Sequence, residues 1–147
     1  MHATAAAGLG FLLSVLWFDL MFDVQARGHA GPLPAEVRGS IAGYYRRVTT
    51  AARPMNRLVA LVMVVTLAAI VGELATDAVP AAVAGLSLAL AASGIGLAAA
   101  RTVRHAIELG AQDGDAEQQS ALARSILRDH LVCLAAVVTA LVLQVAA

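Results

Sequence analysis

The chain has 147 residues, 60 % hydrophobic and 14 % charged, with ten basic side chains balanced by ten acidic ones. That charged share falls well below the roughly 25 % of a soluble domain, and mean hydropathy is +0.78, which together exclude an ordinary water-soluble globule. The even charge balance leaves no whole-chain case for binding nucleic acid.

A membrane helix needs about 20 mainly apolar residues, and four segments fit that length or nearly so. The first covers about residues 5–24. Its opening, "MHATAAAGLGFLLSVLWF", lacks the basic region of a secretory leader and reads as a retained span. Trp17 reads as packing or an interfacial anchor. The span closes on "SVLWFDLMFDVQ", which sets Asp19 and Asp23 four residues apart on one helical face. Residues 25–54 are more polar. Within them Val37, Ile41, Tyr44 and Val48 recur at near-helical spacing, which predicts an amphipathic linker helix at the interface or packed under the bundle. His29 falls in this loop and His2 beside the N-terminus; neither reads as a ligand.

The second span covers about residues 55–78, with Pro54 suited to its first turn. Arg53, Asn56 and Arg57 form a short polar stripe at its start. Glu73, with Asp77, reads as an interfacial carboxylate at its far end. After the short turn "TDAVP", the third span covers about residues 79–103. Its Gly85, Ser93, Gly94 and Gly96 allow close helix approach. Arg101, Arg104, His105 and Glu108 follow at i, i+3, i+4 and i+7, a single polar stripe. In the polar segment 106–124, Gly110 is expected to stop a helix, "DGD" to turn, and Asp115 to cap a helix whose third position is Gln118. The fourth span covers about residues 125–146. Arg124 and Arg128 share a face there, while Asp129 and His130 point about 100° and 200° away from Arg128, toward neighbouring helices. Cys133, the single cysteine, excludes an internal disulfide and reads as a small core hydrophobe.

The expected fold is all-α: one polytopic membrane domain, a four-transmembrane-helix bundle with an amphipathic linker helix. Every arginine lies on or near the side that carries segments 25–54 and 106–124. The positive-inside rule makes that side cytoplasmic and both termini external, in a membrane of the bacterial inner type.

An unpaired charge among lipid tails costs several kcal/mol, so Asp19 is expected to pair with Arg57 or Arg104. Asp19, Asp23, Asn56, Arg57, Arg101, Arg104, His105, Glu108, Arg128, Asp129 and His130 fall at one level and are expected to form a cytoplasm-side polar cluster. In one reading it takes a lipophilic small molecule with a polar or anionic head: arginines hold the head, and Asp19, His105 or His130 transfer protons. A second reading is a metal or haem site on Asp19, Asp23, His105 and His130. A third is a solvated helix-end belt, with arginines contacting lipid phosphate and carboxylates trimming the charge. The alternative function is a non-enzymatic accessory subunit, packed in a homo-oligomer or larger membrane complex. Membrane lipids are the surroundings in every case.

In general plan the layout resembles the anthrone oxygenase-like family, with "LARSILRDH", residues 122–130, at the opening of the last span. It is also similar in topology to the membrane-associated eicosanoid and glutathione metabolism family, whose arginine–asparagine motif is echoed by "ARPMNR". The glutamate expected soon after that asparagine is absent, since Arg57, Leu58, Val59 and Ala60 follow Asn56. No residue role is carried over from either family.

Overall fold

The computed structural model describes residues 1–51 and 53–147, residue 53 through its backbone alone. Four of its helices are long and apolar enough to cross a membrane: His2–Ala26, Pro54–Thr76, Ala81–Ala111 and Ala116–Ala146. Among the described residues there is no strand.

Helix α1 (His2–Asp23) continues through a single 3₁₀ turn, Val24–Ala26. A loop leads to α2 (Ala35–Arg46), which passes into a π-helical turn, Arg47–Ala51. Helix α3 (Arg53–Thr76) carries Pro54 in its first turn, where a missing N–H costs nothing. It ends where Asp77 adopts φ 48, a left-handed conformation that Asp tolerates better than most residues. Helix α4 (Ala81–Leu97) starts behind Pro80 and runs through a second π-helical turn, Ala98–Thr102, into α5 (Val103–Ala111). The turn that follows uses left-handed Gln112 and Gly114. Asp115 then caps α6 (Ala116–Ala146) as expected: its carboxylate accepts from Glu117 N at 2.9 Å and Gln118 N at 2.8 Å. The polar segment 106–124 is mostly helix around this turn, with α5 and the start of α6 extending the third and fourth spans.

Helices α1 and α4 each pack against both α3 and α6, which gives a ring in the order α1, α3, α4, α6. One end of the ring, the terminal end, carries both termini and the 77–80 turn. The other, the loop end, is closed by α2 and α5, which pack on each other and on α6. Tyr45, Ile41 and Ala42 of α2, Ala106 and Leu109 of α5, and Ile126 and Leu127 of α6 form a core there. The Val37, Ile41, Tyr44 and Val48 spacing thus marks the face that docks α2 under the bundle.

Small side chains set the closest approaches. On α4 the buried stripe is Ala84, Ser87, Ala91 and Gly94; a Cβ at Gly94 would lie 3.9 Å from Cys133 on α6. Gly85 and Gly96, expected in that role, face open space instead. Helix α5 ends at Ala111, one residue past Gly110, with left-handed Gln112 as its cap. A Cβ at Gly110 would come within 2.9 Å of the Arg46 backbone nitrogen, so its missing side chain is what lets α2 dock on α5.

Candidate functional site

The loop-end core encloses a polar network built from three helices. On α1, Asp19 and Asp23 are one turn apart and face inward; Asp23 is fully buried and Asp19 is 15 % exposed. On α6, His130 lies between them. Its Nδ1 is 2.6 Å from Asp23 Oδ2, and its Nε2 is 3.9 Å from Asp19 Oδ2. From α2, Tyr45 Oη donates to Asp23 Oδ1 and Tyr44 Oη to Asp19 Oδ1, each at 2.6 Å. Tyr45 Oη also lies 3.5 Å from His130 Nδ1. Phe22 fixes the Tyr44 ring by stacking on it, with centroids 4.1 Å apart and planes 9° from parallel.

Local sequence explains each placement. The four-residue interval on α1 stacks the two carboxylates. Consecutive tyrosines on α2 point about 100° apart, so Tyr45 enters the core while Tyr44 reaches sideways to Asp19. Burial, then the adjacent carboxylates, push both phenols well above the usual tyrosine range. Both phenols therefore remain protonated donors.

A second buried carboxylate adjoins the first group. Asp129 accepts from Arg101 Nε at 3.0 Å, from a second guanidinium nitrogen of Arg101, and from Thr102 Oγ1 at 3.2 Å. The π-helical turn carries both Arg101 and Thr102, and π-turns in α-helices often mark functional positions. Asp129 and His130 thus face neighbouring helices, as expected, and they face different ones.

Other expected members lie elsewhere. Asp19 pairs with Tyr44 and His130, not with Arg57 or Arg104. Arg104 is 68 % exposed and forms a surface pair with Glu108, itself 52 % exposed, at 3.8 Å. Arg104 and Glu108 look outward because α5 buries its other face, Ala106, Leu109 and Gly110, while Arg101, on the preceding π-turn, reaches in to Asp129. His105 lines an open groove of about 730 Å³ between α5 and α6 with Glu108, Asp113, Gln118 and Ser125. That groove does not reach Asp19, Asp23 or His130, and His105 stays apart from the His130 network. Asn56 Nδ2 donates to Thr49 O at 2.6 Å, so its role is to join α3 to the preceding π-turn. Arg57 and Arg128 are exposed, and the side chain of Arg53 lies outside the described residues.

The terminal end corrects the reading of Glu73. It is fully buried, accepting from Gln144 Nε2 at 2.9 Å and facing His2 Nδ1 at 3.3 Å. Two nitrogens thus surround one carboxylate, and His2, dismissed from sequence, is one of them. Tyr44 and Tyr45 are the other members that sequence reasoning missed. A buried phenol needs a hydrogen-bond partner, and two inward carboxylates need donors, so "YY" on an amphipathic helix was the available signal.

Chemically, the loop-end network can hold and move a proton. An imidazole between two carboxylates can take a proton on one nitrogen and release it from the other, and the low-dielectric surroundings strengthen each of these contacts. Of the two carboxylates, Asp19 is the more exposed. Among the described residues no group of three or more His, Cys, Asp and Glu side chains is arranged to hold a metal ion. Comparison with family models, with curated proteins and with solved structures finds no match to this chain.

Proposed function

We propose that this chain is an integral membrane protein that takes a lipophilic small molecule, with a polar and proton-exchanging head, at the loop-end network. The head meets Asp19 and Tyr44, and His130 carries the proton between Asp19 and Asp23. The observation that carries this reading is the imidazole of His130 set between two carboxylates of α1, of which Asp23 is fully buried and Asp19 is 15 % exposed. Exposed Trp17, Phe18 and Met21 on the same helix offer an apolar approach from the bilayer. General acid–base groups of this kind contribute about 10²–10⁴-fold to a reaction rate.

The test is mass spectrometry of small molecules extracted from protein purified in mild detergent. A lipophilic species should accompany the wild type and be lost from Asp19→Asn and Tyr44→Phe while circular dichroism stays unchanged. If both variants retain whatever the wild type carries, the network is structural, and the accessory-subunit reading replaces this one.

The loop end faces the cytoplasm in this proposal, because the arginines cluster there. A cysteine placed at Thr4 should react with an impermeant reagent on intact cells, and one at Ser40 should not. The opposite labelling pattern would invert the topology.

A further inference from the structure

Beside the network, but separate from it, a second groove of about 500 Å³ lies between the end of α1 and the loop-end half of α6. Its floor is apolar: Ala26, Ala121 and Leu127. Its charged wall is Arg124 and Arg128, one turn apart on α6, with His29 opposite. Among the described residues, no carboxylate lies within ion-pairing distance of either arginine. Arg124 is held in place through its guanidinium, which donates to His29 O at 3.2 Å and to Gly31 O. Those bonds use one terminal nitrogen and leave the rest of the fork unassigned, while Arg128 is exposed and carries no hydrogen bond to another described residue.

The groove also sits at a particular level. Ala26 closes the first membrane-spanning helix, so this is where apolar surface gives way to polar loop. On α6, one turn past Arg128 toward the apolar part of the span, Leu131 and Val132 are exposed. A ligand that fits has an anionic head for the guanidiniums and hydrocarbon that continues along α6.

We propose that this groove binds the phosphate head of an anionic membrane phospholipid, with its chains lying along Leu131 and Val132. Arginine suits this role because its planar fork donates to two phosphate oxygens at once, and basic pockets between membrane helices are common seats for acidic lipid heads. A bound lipid also closes the gap between the α1–α2 loop and α6, which Arg124 already bridges. The assignment is independent of the proton-carrying network, since none of these side chains belongs to it.

The experiment is thermal unfolding of the full chain in neutral detergent, with phosphatidylglycerol or phosphatidylcholine added as mixed micelles. Phosphatidylglycerol should raise the midpoint by about 4 °C or more at saturation, and phosphatidylcholine should shift it by no more than about 1 °C on the same scale. Arg128→Gln should unfold at the wild-type midpoint without lipid, because Arg128 is exposed and unpaired, and should lose the selective shift. Native mass spectrometry should show phosphatidylglycerol retained by the wild type and not by Arg128→Gln. Equal shifts from the two lipids, or a full selective shift in Arg128→Gln, would overturn the assignment. A shift of the same size from inorganic phosphate alone would overturn it as well, by making the ligand a soluble anion.

Discussion

The two ends of the bundle solve the problem of a buried carboxylate in different ways. At the terminal end, Glu73 is met by Gln144 and His2, and each carboxylate oxygen has one nitrogen partner. It is a clasp that ties α3 to α6 and to the start of α1. At the loop end, two carboxylates share one imidazole and two phenols, and Asp129 adds a third carboxylate one residue along α6. The first arrangement gives a carboxylate a fixed set of partners. The second sets several hydrogen-bonding groups around one imidazole, the arrangement on which the proposed proton transfer rests.

Replacing Asp23 with alanine should have the largest effect. It strands His130 and Tyr45 in a sealed site, and breaking a buried charged pair costs about 3–5 kcal/mol. Unfolding in a denaturing detergent should show that loss, and adding His130→Ala should recover part of it. Strict additivity would mean that the two side chains do not depend on each other.

Glu73→Ala should cost less, about 1–3 kcal/mol, because it strands one buried amide donor while its other partner, His2, is 41 % exposed. The discriminating feature is locality. Hydrogen exchange should rise at the terminal ends of α3 and α6 and remain unchanged in α2. If exchange also rises in α2, the two ends are coupled and the contrast between them fails. The smallest effect belongs to Tyr44→Phe, which removes one hydrogen bond from the open edge, worth about 1 kcal/mol. Stability should scarcely change while ligand retention is lost. A loss as large as that of Asp23→Ala would place Tyr44 in the structural frame.

Much of the architecture was legible before the structure. The spans follow from apolar length, the docking face of α2 from the spacing of Val37, Ile41, Tyr44 and Val48, and the start of α6 from Asp115 and Gln118. Asp19, Asp23 and His130 were also expected at one level, and they do converge. The rotation of the helices was harder to read. In a membrane the outer face of a helix is as apolar as the inner one, so periodicity groups residues without saying which group points inward. Arg101, Arg104, His105 and Glu108 share a stripe as read, but α5 has already left the apolar part of its span. There Arg104 and Glu108 are exposed, whereas Arg101, on the π-turn before α5, reaches back to buried Asp129. Glu73 failed in the opposite sense: its place near a helix end suggested exposure, whereas Gln144 and His2, distant in sequence, bury it. Gly110 marks the end of α5 to within one residue, but nothing local reveals that another helix backbone lies against it.

Asp129 and His130 are consecutive residues held from two directions, one by Arg101 and Thr102 behind a π-turn, the other by the carboxylates of α1. Two clamps about 100° apart on one helix fix its azimuth as well as its height, so α6 cannot roll without breaking both. If the two contacts act as one unit, a spectroscopic label near Arg101 should respond to Asp23→Ala; an unchanged signal would show that each holds α6 independently.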